Sequence, residues 1–277
     1  MTIGNTLVQL QREGLDRLDA QMLLLLALQR EPHDRAWLMA HGEEALTEVA
    51  RDALNDLVQR RQRGEPMAYL CGEREFFGLR LRVDPRVLVP RADTETLVHW
   101  ALEVVDGLER EATVIDLGTG SGAIALALKA SRPALTVVAS DASGPALDVA
   151  RANSLRLSLA VEFHQGNWLA AVPGREFDVI VSNPPYIATG DHHLHALTHE
   201  PSSALTAGAD GLSDIRTLIG RAQESLSPGG WLLLEHGHDQ ATAVRDLLKE
   251  AGFGRVSSRT DLAGIERCSG GQRPLRR

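Results

Sequence analysis

Asp178-Val-Ile-Val-Ser-Asn-Pro-Pro-Tyr186 carries the clearest structural signal in the chain. The three residues after Asp178 are β-branched or aliphatic and match a parallel strand that is buried on both faces. Proline cannot donate to a sheet ladder, so Pro184 and Pro185 end this strand. The stop leaves a stiff tip with the Asn183 carboxamide, the Pro184 carbonyl and the Tyr186 ring at the edge where open α/β sheets bind ligands. Taken alone, the same residues also fit an ordinary strand-ending turn.

Strands and helices alternate on both sides of this tip. The predicted strands are 114–117, 135–140, 161–164, 179–182 and 231–235, and the predicted helices are 123–130, 145–157, 215–226 and 242–251. Two weaker segments, 253–260 and 264–268, follow. Such alternation predicts an α/β fold with a parallel sheet that is covered by helices on both faces.

The first part of the chain has helical patterns only. An apolar face over 18–28 predicts one helix, with Asp19 as its expected N-cap, and 44–63 predicts another that ends before Gly64. Residues 1–72 are therefore expected to form a small helical bundle.

Residues 73–90 are predicted to form a β-hairpin linker. Apolar and polar residues alternate over 77–83, Asp84-Pro85 provides a turn, and 87–89 is the expected second strand. A helix is expected to begin at Asp93 or Thr94 and to end near Val105. The third part, 91–277, is then the strand–helix domain.

Composition narrows the class of protein. With 277 residues, 43% of them hydrophobic and 24% charged, the chain can bury a sizeable core. A formal net charge of -8 argues against nucleic acid as the main partner. The apolar run 22–28 is too short to span a bilayer, so no membrane is expected and the cytoplasm is the expected location. Cys71 and Cys268 predict neither a disulfide scaffold nor a metal site.

A glycine-rich loop follows the first predicted strand of the sheet. Val114-Ile-Asp-Leu-Gly-Thr-Gly-Ser-Gly-Ala-Ile-Ala125 places three glycines where the backbone can approach a ligand closely. The spacing also fits a loose dinucleotide fingerprint, which is a weak signal by itself. Asp116 would repel a pyrophosphate but attract an ammonium group, and Asp141 at the end of the next strand suits ribose hydroxyls. Capping the following helix is the alternative role for Asp141.

Together these features favour S-adenosylmethionine, a nucleoside with a cationic amino-acid tail. Trp168 could flank its adenine, or could belong to the core. The predicted cofactor-binding residues are Asp116, Gly118, Thr119, Gly120, Ser121, Gly122, Asp141, Asn167, Trp168 and Asn183.

The motifs resemble those of the release factor glutamine methyltransferase family over nearly the whole chain. Beside the glycine loop and the tip, the similar stretches are Phe76-Phe-Gly-Leu79, Leu88-Val-Pro-Arg-Ala-Asp-Thr-Glu95, His199-Glu-Pro201, Ala207-Gly-Ala-Asp-Gly211, Leu226-Ser-Pro-Gly-Gly230 and Asp261-Leu-Ala-Gly264. Ala92 departs from the proline that is usual in the family.

This resemblance implies a class I methyltransferase fold, Rossmann-like with a mostly parallel seven-stranded sheet, preceded by a small helical domain and a β-hairpin link. It also implies methylation of the side-chain amide nitrogen, N5, of the glutamine in the Gly-Gly-Gln motif of peptide chain release factors. S-adenosylhomocysteine would be the product. Release factors are then the expected partners, and the enzyme is expected to be a monomer. Because 1–72 contains no candidate catalytic cluster, we expect this domain to recognise the release factor; a domain that only supports the catalytic fold is the alternative.

Methylation of an amide at the tip would depend on positioning, because an amide nitrogen is a poor nucleophile. The oxygen of Asn183 and the carbonyl of Pro184 could accept the two amide hydrogens, and Tyr186 could pack against the flat amide and exclude water. The predicted catalytic residues are Asn183, Pro184 and Tyr186, and Pro185 joins them as substrate-binding. No general base is evident in the tip.

Three other functions stay open on the sequence. Asn-Pro-Pro-Tyr also suits an exocyclic base nitrogen of a nucleic acid, although no target-recognition domain is evident. A glutamine of a ribosomal protein is a second possible substrate. A cofactor-binding sensor is the third, but a sensor would not need an amide-orienting tip.

Two further patterns each allow two interpretations. His192, His193, His195 and His199 lie with Asp191 and Glu200 in one segment. A solvated loop over the site fits them better than a metal centre, so no metal is predicted. Gly270-Gly-Gln272 spells the family's substrate tripeptide, which is either a chance occurrence or a pseudo-substrate.

Overall fold

The computed structural model describes residues 1–108 and 110–275. The chain divides into two compact units, Met1–Glu73 and Arg74–Arg277. Within the described ranges, no helix is both long enough and apolar enough to cross a membrane.

The first unit is helical apart from an isolated bridge between Thr2 and Ala45 and its last residue, Glu73, which begins a strand. Its helices are α1 (Ile3–Arg12), α2 (Arg17–Ala27), α3 (Arg35–Ala40), α4 (Glu48–Gln62) and α5 (Met67–Cys71). The expected cap at Asp19 is wrong: the carboxylate of Asp16 accepts the Leu18 N–H at 2.7 Å and begins α2. Asp19 instead pairs with Nε of Arg61 on α4 at 2.7 Å. Thr47 caps α4, so this helix begins four residues later than expected.

The hairpin lies earlier in the chain than its pattern suggested. β1 (Glu73–Phe76) and β2 (Leu79–Arg82) pair across Phe77 and Gly78, whose φ angles of 50° and 76° suit a two-residue hairpin turn. The second strand expected at 87–89 is wrong. The Val89 N–H donates to Oε2 of Glu200 at 3.0 Å, so a side chain takes the place of a ladder partner.

The second unit is built on a seven-stranded sheet. Its strands are β3 (Thr113–Leu117), β4 (Thr136–Asp141), β5 (Glu162–Gln165), β6 (Phe177–Ser182), β7 (Leu226–Glu235), β8 (Gly254–Thr260) and β9 (Glu266–Gln272). They lie in the order β5-β4-β3-β6-β7-β9-β8, and all pairs are parallel except those of β9 with β7 and with β8. This confirms the predicted mostly parallel α/β sheet.

Helices cover both faces of the sheet, as predicted. They are α6 (Glu95–Asp106), α7 (Ala123–Ser131), α8 (Gly144–Leu157), α9 (Ser213–Ser225) and α10 (Ala241–Glu250). Successive residues of β6 face opposite sides of the sheet: Val179 and Val181 pack with α6 and α7, and Ile180 packs with α9 and α10. The strand order reverses between β3 and β6, which creates the crevice where such sheets bind ligands.

The Gly-Gly-Gln segment lies inside β9, between β7 and β8. A Cβ on Gly270 would lie 2.6 Å from the Leu233 side chain, so a larger residue would disturb the sheet. The Gln272 amide donates to the Gly229 carbonyl at 2.8 Å. This placement favours the chance alternative over a pseudo-substrate.

Candidate functional site

A cavity of about 480 Å³ lies at the carboxyl edge of the sheet, within the volume range of small-molecule sites. Predicted residues in its wall are Gly118, Gly120, Asp141, Asn167, Trp168, Asn183 and Pro185. Residues that were not predicted as site residues complete the wall, and two of them, Leu88 and Pro201, belong to the motifs quoted above; the others include Arg86, Val87, Ser203, Ala204 and Asp214. The structure therefore brings the glycine loop and the tip to one cavity.

The glycine loop leaves room for a ligand beside its backbone. Gly118 and Gly120 have φ angles of 73° and 55°, in the left-handed region that favours glycine. A Cβ on Gly118 would lie 3.1 Å from the Trp168 ring, whereas a Cβ on Gly120 would meet nothing within 4 Å. The space beside Gly120 is thus open for a bound molecule, and a side chain there would fill it.

Asp116 is a fully buried carboxylate with one unused oxygen. Its Oδ2 accepts the Thr119 hydroxyl at 2.6 Å and the Ala125 N–H at 3.2 Å. Its Oδ1 has no hydrogen-bond partner in the described part of the chain. Burial raises the pKa of Asp116 to about 7, against the opposing effect of these hydrogen bonds. A cationic group that reached Oδ1 would supply the missing partner.

Asp141 is held in place by two backbone groups. Oδ2 accepts the Gly120 N–H at 2.9 Å, and Oδ1 accepts the Ser143 N–H at 2.8 Å. The capping alternative for Asp141 is wrong, because the Ser143 hydroxyl caps α8 by accepting the Ala146 N–H. Each carboxylate oxygen keeps a second lone pair, so Asp141 can still accept hydroxyl groups from the cavity.

Trp168 stands in a strained backbone conformation beside the loop. Its φ of 49° is uncommon for a bulky residue, and such strain is typical of functional sites. The side chain hydrogen-bonds to Asp214 and packs against the core beneath α9 and α10. Trp168 is therefore both a cavity wall and a core contact, so the two alternatives for this residue are compatible.

The tip holds the Asn183 amide in one orientation. Nδ2 of Asn183 donates to the Thr94 hydroxyl oxygen at 3.2 Å, which leaves Oδ1 available as an acceptor. Pro184 is buried, and Pro185 lines the cavity.

Tyr186 is not part of the cavity wall. Its hydroxyl donates to Oε1 of Glu235 at 3.4 Å, and burial raises the pKa of the phenol. The carbonyl of Tyr186 accepts the Gln240 amide at 3.0 Å, so the backbone after the prolines is fixed as well.

Glu200 fixes another part of the cavity wall. Its buried carboxylate accepts the Val89 N–H and pairs with Arg91, which joins the segment before α6 to the segment that carries Pro201. Both carboxylate oxygens of Glu200 are thus engaged, one by Val89 and the other by Arg91.

The histidine segment forms only a small exposed group. Within residues 1–108 and 110–275, Asp191, His192 and His193 are the one set of three metal-capable side chains that lie close together. Nδ1 of His193 hydrogen-bonds to Asp191 at 2.7 Å. Because this set is largely exposed and lies outside the cavity wall, it gives no support for a metal centre.

Sequence reasoning missed four residues that support the site: Thr94, Asp214, Glu235 and Gln240. Each reaches Trp168 or the tip from a distant part of the chain; Thr94 and Asn183, for example, are 89 positions apart. The only available signal was that Thr94 falls inside the Leu88–Glu95 motif.

Comparison with known proteins places these features in a family. Residues 6–72 match the PrmC N-terminal domain, and residues 101–212 match the methyltransferase small domain. A release factor glutamine methyltransferase of Xylella fastidiosa is 49% identical over 265 residues, which cover 95% of each chain. One of Burkholderia pseudomallei is 48% identical over 274 residues, which cover 96% of this chain and 95% of the other.

A solved structure supports the fold alone. A methyltransferase from Pyrococcus furiosus aligns with a TM-score of 0.55 at 18% identity and covers 78% of this chain and 99% of its own. The matches to curated relatives extend over almost the full length of both partners. The chain is therefore a methyltransferase and belongs to the release factor glutamine methyltransferase family.

Proposed function

We propose that this enzyme transfers a methyl group from S-adenosylmethionine to the side-chain amide nitrogen of the glutamine in the Gly-Gly-Gln motif of peptide chain release factors. The observation that carries the proposal is the anchored amide of Asn183, whose free Oδ1 lies at the cavity beside the glycine loop. The names of the relatives support the choice of substrate.

The residues present fit the proposed cofactor. The open space beside Gly120 can take the part of the cofactor nearest the loop, and Asp141 in the cavity wall suits its ribose hydroxyls. Asp116 is buried and is not itself in the wall, but its unused oxygen suits the ammonium group. Trp168 offers a flat apolar surface for the base. When bound, S-adenosylmethionine supplies a methyl group on a sulfonium, which is already a strong electrophile.

The tip then has to orient the glutamine amide. Oδ1 of Asn183 and the carbonyl of Pro184 accept the two amide hydrogens, which fixes the plane of the amide and directs its nitrogen lone pair to the methyl group. No covalent attachment to the enzyme is required. S-adenosylhomocysteine and the N5-methylated glutamine are the products, and the surplus proton leaves the nitrogen after transfer.

The test is methyl transfer to a purified release factor from cofactor with an isotope-labelled methyl group, followed by peptide mapping. One added methyl on the Gly-Gly-Gln glutamine is expected. A release factor whose glutamine is replaced by alanine is the matched control and should remain unlabelled. Label on another residue would contradict the proposal. When a cell extract is used as the substrate, label that nuclease digestion releases would also contradict it and would favour the nucleic-acid alternative.

We also propose that the helical unit recognises the release factor. A short glycine-rich motif offers little surface, so selectivity requires contacts far from the reacting nitrogen, and a second contact surface raises the effective concentration of the glutamine. The unit carries a groove with exposed apolar side chains that include Val8, Leu18 and Met39. Polar residues, among them Arg17 and Arg35, also line the groove, and exposed apolar side chains beside polar ones are common on protein-binding surfaces.

A pair of matched substitutions tests this role. Met39 is 87% exposed in the groove, and Val49 is 77% exposed on α4 outside the groove wall. Met39→Glu should raise KM for an intact release factor and leave turnover of a short Gly-Gly-Gln peptide unchanged. Val49→Glu should change neither. Equal loss on both substrates with Met39→Glu would indicate that the unit only supports the fold.

A further inference from the structure

A buried carboxylate stands behind the tip and has no part in the chemistry described so far. Glu235 ends β7 and is 1% exposed. Its Oε1 accepts the Tyr186 hydroxyl at 3.4 Å, and a hydrogen bond from the Thr94 side chain favours its ionised form. Its Oε2 has no hydrogen-bond partner in the described part of the chain. We call Thr94, Asn183, Tyr186 and Glu235 the Glu235 cluster.

The order of donors in this cluster follows from the single hydrogen of a hydroxyl group. The Thr94 oxygen receives the Nδ2 hydrogen of Asn183, and the Thr94 hydroxyl donates its own hydrogen to Glu235. An ionised Glu235 can only accept, so it imposes this direction on the chain of hydrogen bonds. The final consequence is that Asn183 presents its oxygen, and not its NH₂ group, to the cavity.

We propose that Glu235 is a positioning residue for the methyl transfer, an inference that rests on the proposed function. Its carboxylate acts through Thr94 to keep Oδ1 of Asn183 facing the glutamine amide, and it holds the Tyr186 hydroxyl at the same time. A protonated Glu235 would donate a hydrogen and compete for the Thr94 oxygen. The carboxamide of Asn183 could then flip, so that its NH₂ group faces the NH₂ group of the substrate amide and no longer accepts a hydrogen from it.

Several charged or titratable groups surround Glu235. Asp93, before α6, disfavours its ionised form, and Arg267 on β9 favours it. Nε of Arg267 lies 3.4 Å from Asp93 and 3.1 Å from Asp261, so its charge is shared. The other neighbours are Tyr186, Cys268, which is paired with Glu235 in the sheet, and the adjacent His236.

Burial raises the pKa of Glu235 to about 7, against the hydrogen bonds from the two hydroxyls. The proposal requires the ionised form. The parent enzyme should therefore gain kcat as the pH rises through about 7, with KM for the release factor changing less.

Two substitutions at Glu235 separate positioning from simple loss of structure. Glu235→Ala removes the acceptor, and kcat should fall by about 10- to 100-fold, the usual cost of losing an outer support of a site. Glu235→Gln keeps the shape of the side chain but, like protonated glutamic acid, carries a donor beside its acceptor oxygen. Its kcat should stay near the low-pH value of the parent at every pH, without the rise near pH 7.

The matched control is Asp178→Asn, which changes a carboxylate that is 4% exposed at the other end of the sheet. It should keep the parent's kcat and its pH profile. Cofactor affinity, measured by calorimetry, should be the same in all three variants. A Glu235→Ala enzyme with the parent's kcat, or a Glu235→Gln enzyme with the parent's pH profile, would overturn the proposal.

A measurement without substrate tests the cluster independently of the reaction. In ¹⁵N-labelled protein, the side-chain NH₂ signal of Asn183, assigned by its absence from Asn183→Ala, should shift as the pH passes about 7 in the parent. It should not shift in Glu235→Gln. A signal that shifts equally in both would refute the role of Glu235 even if the enzyme methylated another substrate, whereas an inactive parent with the expected NMR result would refute only the proposed function.

Discussion

The two edges of the central sheet differ in whether their buried carboxylates have hydrogen-bond partners. At the amino edge, both carboxylate oxygens of Asp178 are satisfied: Arg110 contacts both, and the Thr113 N–H donates to Oδ2 at 2.9 Å. At the carboxyl edge, Oδ1 of Asp116 and Oε2 of Glu235 have no partner within the described ranges. Both edges belong to the same packed unit, so burial alone does not explain the difference.

A buried polar group without a partner costs about 1–3 kcal/mol, and a charged group costs more. A protein keeps such groups where a ligand or a reacting group supplies the partner. The amino edge is therefore built for stability and the carboxyl edge for binding and positioning. Substitutions at the two edges should separate these roles.

The largest expected effect is on catalysis at the tip. Asn183→Ala removes the acceptor that Thr94 holds in place, so the amide of the substrate loses one of its two orienting contacts. The methylation rate should fall on the order of 10²-fold or more. Calorimetry should show cofactor binding mostly intact. A purified variant that methylates at the parent rate would contradict the orienting role.

The next effect is on cofactor affinity. Asp141→Ala removes a charged acceptor from the cavity wall, and binding of S-adenosylmethionine should weaken by about 1.5–3 kcal/mol. The loop also loses the acceptor of the Gly120 N–H. A folded variant with unchanged affinity would limit Asp141 to supporting the loop. Comparable binding of NAD by the parent would revive the dinucleotide alternative.

The smallest effect on function is expected at the amino edge. Asp178→Asn weakens the pairing with Arg110, and the protein should lose about 1–2 kcal/mol of unfolding free energy in denaturant titrations. Cofactor affinity and methylation rate should stay at the parent's values. A large loss of either in a folded variant would show that the two edges are not independent.

The architecture of the second unit could be predicted because its signals are local. Runs such as Val179–Val181 and the stops that follow them mark strand ends without knowledge of the rest of the fold. The expected strand at 87–89 was wrong because Val89 finds its partner in Glu200, 111 residues away. The cap of α2 was misplaced by three residues, since Asp16 and Asp19 are equally plausible caps on sequence.

The site residues divide in the same way into those with a local sequence signal and those without one. Asp141, Asn167, Trp168 and Asn183 are in the cavity wall because each follows directly from a strand end. The residues that hold them could not be inferred, since Thr94 and Glu235 meet the tip only after the sheet has brought its strands together. Tyr186 was expected to face the substrate amide, but its hydroxyl is turned to Glu235.

The most direct test of the difference between the edges is carboxyl-¹³C NMR of protein labelled at aspartate, with and without S-adenosylmethionine. Asp116, assigned by its absence from Asp116→Asn, should titrate near pH 7 in the free protein. A cation beside a carboxylate favours the ionised form, so saturating cofactor should lower that midpoint by about one unit or more. The Asp178 signal should not respond to the cofactor. A midpoint for Asp116 that stays near pH 7 while calorimetry shows full binding would contradict the account.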